Sequence, residues 1–115
     1  MTPPTIDTAT FDELKTTAGA DFVRELVDTL LVEAPLMLDE MRTALGEHSV
    51  ERLRRAAHSL KSNGMTFGAL ELAASARDLE VRAAEIVASG DATPLDALAQ
   101  HYAAAATALA ELTRE

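Results

Sequence analysis

The residues of this sequence that could do chemistry lie together in the segment 49–64. His58 precedes Lys61 by three residues and follows Arg55 and Arg54 by three and four residues. Positions three, four and seven apart share one side of a helix, so a helix here would place these side chains on one face. A solvent-facing imidazole nitrogen can act as a nucleophile towards an anionic phosphoryl group, and the cations can stabilise the transferred charge. Spacing alone favours a simpler alternative, an ordinary surface histidine on a solvated face.

The same segment differs in charge from the rest of the chain. It has a net charge of +3 within a chain of formal net charge −9, from Arg52, Arg54, Arg55 and Lys61 against Glu51. The overall charge reflects 10 Lys and Arg against 19 Asp and Glu, and it argues against binding nucleic acid or an anionic membrane through the field of the whole molecule. Any surface that attracts an anion must therefore be local.

Length and composition exclude several classes of protein. A chain of 115 residues with 48% hydrophobic content encloses one core and leaves no room for a separate kinase or nucleotide-hydrolysing domain. Without cysteine there is no disulfide framework, no thiolate nucleophile and no Cys-ligated metal. A di-iron bundle needs Glu three residues before His, but the residues three before the histidines are Leu45, Arg55 and Leu98. We therefore expect no metal site.

Two further features bear on location. The longest uncharged run is far too short to span a bilayer, so we expect no membrane insertion. The first five residues lack the basic and apolar regions of a signal peptide. We therefore expect a cytoplasmic protein.

The elements that position these residues are predicted to be helices. Only 3% of residues are aromatic, and Ala, Leu, Glu and Arg dominate, which favours helix. Glycines and prolines divide the chain into one short and four long segments, at about 8–18, 21–45, 49–64, 68–89 and from 93 onwards. Because the connections are short, we predict an all-α fold in which an antiparallel up-and-down four-helix bundle (about 20–114) carries a short extra N-terminal helix (about 8–18). The chain 1–115 is then a single domain.

Apolar residues at steps of three and four predict the buried faces. In the second segment the predicted stripe comprises Phe22, Leu26, Leu30, Ala34, Met37, Met41 and Leu45. Pro35 interrupts this segment, and because the stripe continues in phase across it, we expect a kink within one helix. In the third segment the buried stripe leaves His58 facing solvent, and it comprises Val50, Leu53, Ala57 and Leu60.

The local sequence around His58 carries a more specific signal. Ala57-His58-Ser-Leu-Lys61-Ser-Asn-Gly64 leads to Phe67-Gly-Ala-Leu70, and Leu79-Glu80 follows in the next helix. This pattern resembles the histidine-containing phosphotransfer (HPt) domain family. In that family a phosphorylated histidine is followed by x-Leu-Lys, small residues and apolar-Gly-Ala, with a Leu-Glu or similar pair in the next helix. The resemblance covers nearly the whole chain, and it includes Ile6-Asp7, Gly19-Ala-Asp-Phe22 and Ala34-Pro35, which look like the corresponding segments of many bacterial standalone members.

The resemblance implies roles for three residues. His58 corresponds to the phosphoacceptor, and Lys61 to the cation that stabilises the phosphoryl group. Glu80 stands where family members carry a Glu or Gln that hydrogen-bonds the imidazole and fixes its orientation.

The resemblance also implies a docking surface around the histidine. Ser62 and Gly68 are small residues that would let a partner approach closely, and Arg54 and Arg55 would supply charge complementarity. Met65 departs from the family pattern, because many relatives place Ala or Ser there. It either belongs to the docking face or turns inward as core, and its helical spacing favours the core.

A mechanism and partners follow from the same resemblance. A receiver domain's aspartyl phosphate would be attacked by His58, and a second receiver's aspartate would later take the group back. The expected partners are response-regulator receiver domains and, additionally, a hybrid sensor histidine kinase. The receiver would supply Mg²⁺, and this chain would need no cofactor of its own. It would act as a monomeric phosphocarrier without ATP-dependent kinase activity, since it has no glycine-rich phosphate loop.

Two alternatives remain open at this point. The first is an HPt-like bundle that docks on a receiver domain or kinase and inhibits it without carrying phosphate. The second is a generic helical adaptor in which the motif is coincidental. His48 and His101 have no comparable surroundings in the sequence, and we expect them to be ordinary surface or boundary residues.

Overall fold

The computed structural model describes residues 5–114, and within that range every regular element is an α helix. The elements are α1 (Thr8–Ala18), α2 (Ala20–Gly46), α3 (Val50–Phe67), α4 (Leu70–Val81), α5 (Ala83–Ser89) and α6 (Thr93–Leu112). The predicted all-α class is confirmed. None of these helices is long and apolar enough to cross a membrane. Residues 1–4, which bear on the signal-peptide expectation, lie outside the described range.

Four helical segments enclose the core: α2, α3, α4 together with α5, and α6. Helix α3 packs against α2 on one side and against α4 on the other, and α6 closes the ring by contacting both α2 and α4. Helix α1 lies across α2 and α3. The core contains only apolar side chains among the described residues, with no buried polar or charged residue. Because α3 buries only one stripe of apolar side chains, its opposite face is exposed to solvent.

The fourth predicted helix is divided in two, which the sequence did not reveal. Helix α4 ends at Val81, and α5 begins at Ala83 after a turn at Arg82 (φ −98°, ψ 13°). The Arg82 guanidinium donates to Asp78 Oδ2 at 3.0 Å and to Glu85 Oε2 at 3.3 Å, so it bridges the turn. No glycine or proline marks this position, and such residues are the signals from which helix ends are predicted.

Helix α2 continues through Pro35, as predicted, but its buried face begins one residue later than expected. Val23 and Val27 are buried, whereas Phe22 is half exposed. The prediction that Phe22 belongs to the core is therefore wrong. Both sets are apolar and both follow helical spacing, so the pattern did not distinguish them. Packing against the other helices selected the valines.

Helix α3 has a defined start and end. The Ser49 side chain accepts a hydrogen bond from the Arg52 backbone N–H at 3.3 Å, which satisfies one of the free amides at the first turn. The helix ends at Gly68 in the left-handed conformation (φ 77°, ψ 18°). The Gly68 carbonyl accepts a hydrogen bond of 2.8 Å from the Asp7 backbone N–H, which ties the segment before α1 to the end of α3. Gly68 is buried, contrary to the expectation that it is an open surface position where a partner could approach closely.

Gly68→Ala is expected to destabilise the fold. An L-residue in the left-handed region costs about 1 to 2 kcal/mol. A Cβ at this position would also lie 2.8 Å from the Asp7 carbonyl oxygen and 3.0 Å from Thr10 Cβ. Urea denaturation followed by circular dichroism measures the loss of unfolding free energy.

Gly90→Ala is the matched control for this substitution. Gly90 has a similar φ of +70°, but no atom lies within 4 Å of the Cβ position, so only the backbone cost applies. The difference between the two variants isolates the contact with the segment before α1. Equal losses in the two variants would contradict the role given to that contact.

Candidate functional site

His58 lies near the middle of α3 with its side chain 58% exposed. It follows Ala57 and precedes Leu60, both fully buried, so the core stripe of the helix fixes which way the imidazole faces. The ring is held from α4: His58 Nδ1 lies 2.7 Å from Glu80 Oε2. Two helices, and not one, therefore set the orientation of the imidazole.

Lys61 completes the contact set from the next turn of α3. Its Nζ donates to Glu80 Oε1 at 2.7 Å, so each oxygen of the Glu80 carboxylate has one partner. The Lys61 and Glu80 side chains are only 23% and 21% exposed, much less than His58. The arrangement is a partly sheltered ion pair with an accessible imidazole at its edge.

The ionised carboxylate of Glu80 determines which nitrogen of the His58 ring carries the proton that the two residues share. The hydrogen bond from Lys61, together with that from His58, holds the pKa of Glu80 below its ordinary value against the opposing effect of burial. An ionised carboxylate can only accept hydrogen bonds, so His58 Nδ1 must carry the proton that it shares with Glu80. In a neutral ring the proton on Nδ1 leaves Nε2 with a free lone pair. Nε2 has no hydrogen-bond partner within residues 5–114.

Close packing between α3 and α4 makes the contact with Glu80 geometrically feasible. Gly64 is buried inside α3, and a Cβ at this position would meet the Ala73 backbone nitrogen at 3.1 Å and Ala73 Cβ at 3.2 Å. The sequence predicts that the helix ends near Gly64, whereas it continues to Phe67. Spacing between helices is set by the side chains at the contact, so a glycine here allows the axes to approach.

The cationic face is less positive than the sequence predicted. Arg52 turns towards α2, where its guanidinium donates to both oxygens of Glu40 at 3.0 and 2.8 Å and to Glu47 at 2.6 Å. Its hydrogen bonds lower the pKa of Glu40. Arg54 and Arg55 remain exposed, and each lies within 3.6 Å of Glu51. The excess positive charge around His58 is therefore largely compensated by neighbouring carboxylates.

The remaining predicted docking residues are divided by the structure. Ser62 is exposed one turn beyond His58. Met65 is 59% exposed, so the favoured interpretation of Met65 as a core residue is wrong. It lies on the solvent side because Gly64 and Phe67 take the inward positions of this turn. Gly68 is buried at the end of α3, as described above.

A groove between α2 and α3 flanks His58, and the sequence alone did not separate its lining residues from the core. Its volume is about 360 Å³, and its apolar lining consists of Leu36, Met37 and Ala56. Charged and polar side chains form its rim: Glu33, Glu40, Arg52, Arg55 and Ser59. Leu36 is 62% exposed, and it lies outside the apolar stripe of α2. The sequence did contain one sign of this groove, because Leu36 is a large apolar residue that is out of phase with the apolar stripe of α2.

The other two histidines have different surroundings. His101 Nδ1 on α6 lies 3.7 Å from Glu71 Oε2, which is beyond hydrogen-bond distance, and no lysine joins the pair. His48 occupies the turn between α2 and α3 with a positive φ of 58°. Within the described range, no group of three or more His, Cys, Asp or Glu side chains could hold a metal ion.

Comparison with protein families gives one match. The family model described as "Hpt domain" matches residues 25–114, which include α3, α4 and every residue of the His58 site. Comparisons with curated proteins and with solved structures give no match.

Proposed function

Because the chain belongs to the Hpt domain family, whose members take part in histidine phosphotransfer in phosphorelays, we propose that His58 carries the phosphoryl group. The donors and acceptors are aspartates of receiver domains. The observation that carries the proposal is the contact set of His58, Glu80 and Lys61, which leaves Nε2 of an exposed imidazole without a hydrogen-bond partner among residues 5–114.

The forward step is an in-line displacement at phosphorus. The lone pair of His58 Nε2 forms the N–P bond while the bond between phosphorus and the receiver's aspartyl oxygen breaks. The electron pair of that bond leaves with the aspartate, which becomes a free carboxylate. In the reverse step a receiver carboxylate attacks phosphorus and the N–P bond breaks. No proton has to leave His58, since Nδ1–H stays bonded to Glu80 throughout.

Glu80 stabilises the charge that develops during this step. As the N–P bond forms, the imidazole acquires positive charge, and the Glu80 carboxylate lies 2.7 Å from Nδ1. An ionised acceptor strengthens the hydrogen bond from a cationic ring. Glu80 is therefore a positioning residue that favours the phosphorylated state and fixes the reactive tautomer.

Lys61 contributes through the same carboxylate and through its remaining donors. An ammonium group has three N–H donors, and Lys61 uses one of them on Glu80 Oε1. The other two are available to oxygens of a phosphoryl group on Nε2. Lys61 thus stabilises the transferred charge, the role that the family resemblance implies.

The partner docks on the surface that surrounds His58. The groove between α2 and α3 is lined by apolar side chains and lies next to the face of α3 that carries His58. An apolar element of the receiver could bind there. We propose that the receiver also supplies Mg²⁺, as the family resemblance implies. A hybrid sensor histidine kinase would reach His58 through its own receiver domain.

Incubation with phosphorylated receiver domains tests the proposal. The wild-type chain is expected to gain one phosphoryl group by intact mass, and the label should be acid-labile and alkali-stable. Return of the group to an unphosphorylated receiver would complete the shuttle. Binding of receivers without any phosphate uptake from a panel of them would overturn the proposal in favour of a docking or inhibitory protein.

Glu80→Ala is expected to slow phosphoryl transfer by about tenfold or more at a saturating receiver concentration, because the imidazole loses its orienting partner. Glu80→Gln should have an intermediate transfer rate, since the amide oxygen can still accept from Nδ1–H but carries no charge.

Lys61→Ala should slow transfer and leave receiver binding nearly unchanged. Single-turnover kinetics and a separate binding titration measure the two effects.

Glu71→Ala is the control on the same helix. Glu71 lies near His101 and not near His58, so transfer should proceed at the wild-type rate. Nitrogen chemical shifts of the His58 ring distinguish positioning from a merely structural effect, because the fraction protonated on Nδ1 should fall only in the Glu80 variants. An unchanged tautomer and rate in Glu80→Ala would remove Glu80 from the mechanism.

A further inference from the structure

A second cleft lies on the other flank of α3, between α3 and α4. Its volume is about 340 Å³, and its lining consists of Lys61, Met65, Ala73, Ala74 and Arg77. Lys61 is the link to the site, since its ammonium group contacts Glu80. The cleft therefore adjoins the His58 site through Lys61, on the flank of α3 that faces α4.

Arg77 differs from the other arginines of the bundle. Every other arginine between residues 20 and 112 has a carboxylate oxygen within 3.7 Å: Arg24, Arg42, Arg52, Arg54, Arg55 and Arg82. Arg77 is exposed and has no such partner among the described residues. Its neighbour Asp78, which lines a shallow depression with it, is bonded to Arg82 at 3.0 Å and forms no ion pair with Arg77. A guanidinium without an ion-pair partner among the described residues thus lines the cleft.

The surroundings of Arg77 have the composition of a contact surface. Met65 is 59% exposed, and Val81, which shares a second shallow depression with Arg77, is 72% exposed. The small side chains of Ala73 and Ala74 line the cleft without filling it. Arginine and methionine are enriched at protein interfaces, and a guanidinium binds carboxylates in a bidentate geometry.

We propose that Arg77, with Met65 beside it, forms a second recognition site that contacts an acidic side chain on the surface of the partner receiver domain. The inference rests on the proposed phosphotransfer function and names a specificity-determining residue for it. Charge complementarity selects an acidic occupant, because the cation is uncompensated in a chain of net charge −9. An acidic partner is repelled by most of this chain, so an unpaired cation favours the orientation that brings it onto the α3–α4 flank.

Transfer kinetics with the phosphorylated receiver domain that reacts fastest with the wild-type chain test the inference. Arg77→Ala should lower the apparent second-order rate constant by roughly threefold to tenfold at low salt, and Arg77→Glu should lower it further. The rate at saturating receiver should stay within about twofold, and the salt dependence should become shallower. Met65→Ala should also lower the second-order constant without changing the melting temperature, since its side chain is exposed.

Two controls separate recognition from other effects. Arg114→Ala removes the same charge after the end of α6 and from none of the clefts, so it should leave the rate constant unchanged. Phosphoramidate, a small phosphoryl donor without a protein surface, should phosphorylate Arg77→Ala and the wild type equally fast. Equal slowing by Arg114→Ala, or slowing with phosphoramidate, would overturn the inference.

The outcomes also distinguish this inference from the proposed function. If the wild type takes up no phosphate from any receiver, the proposed function fails, and receiver binding alone then decides the inference: Arg77→Glu should weaken it and Arg114→Ala should not. If the wild type is phosphorylated and Arg77→Glu reacts at the wild-type second-order rate, only the recognition site is refuted.

Discussion

His58→Gln is expected to abolish phosphorylation of the chain, with a fall in the transfer rate of at least about a thousandfold, because the nucleophile itself is removed. Glutamine retains a polar side chain that can hydrogen-bond Glu80, but its amide nitrogen has no free lone pair to form an N–P bond. The side chain at this position is 58% exposed, so the unfolding free energy should change by less than about 0.5 kcal/mol. Intact mass after incubation with phosphorylated receiver and a urea denaturation curve measure the two results.

His101→Gln is the matched control for this loss. His101 also faces a glutamate of α4, at 3.7 Å, but it lacks the hydrogen bond and the lysine of the His58 site. This variant should take up phosphate as the wild type does. Acid-labile phosphate retained in His58→Gln would assign the phosphoacceptor to another histidine. Loss of the folded state in His58→Gln would instead make His58 a structural residue.

Leu60→Ala is expected to cost about 2 to 5 kcal/mol of unfolding free energy, the range for truncating a fully buried leucine. Leu60 has no exposed surface, and it lies on the core stripe of α3 two residues after His58. The loss combines the transfer free energy of the deleted atoms with the cavity that they leave. Chemical denaturation measures it, and at temperatures below the lowered melting point the variant should still accept phosphate.

Leu36→Ala provides the comparison within the same residue type. Leu36 is 62% exposed in the groove between α2 and α3, so its truncation should change the unfolding free energy by less than about 0.5 kcal/mol. A small loss in Leu60→Ala, no larger than in Leu36→Ala, would show that α3 is rotated about its axis relative to the described structure. In that case the solvent exposure of His58 would also be in question.

Much of the fold was predictable from local pattern. Glycines and prolines mark most helix ends, and the stripe of Leu53, Ala57 and Leu60 is buried as its spacing indicates. The same spacing placed His58 on the solvent side. The break at Arg82 escaped prediction because it is held by side-chain contacts to Asp78 and Glu85, which carry no signal in composition.

The site was predictable in part. The motif around His58 and Lys61 pointed to the HPt domain family, and the family match includes both residues. Their individual roles stay predictions until phosphate transfer is measured. The predicted positive charge of the arginines and the predicted burial of Met65 were wrong. Residue spacing gives the side of a helix on which a residue lies, but it does not tell which carboxylate or small residue a neighbouring helix places there.

The sequence by itself determined the helical class and the face of α3 that carries the imidazole, because helical periodicity is a local property of the chain. The family resemblance already implied that Glu80 contacts the imidazole of His58. Only the tertiary structure decided that the other oxygen of Glu80 meets Lys61, that Phe22 lies outside the core and that Arg77 has no ion-pair partner among the described residues. These features depend on the axial register and rotation of one helix against another. That register is set by packing between helices, as where Gly64 allows close approach to Ala73.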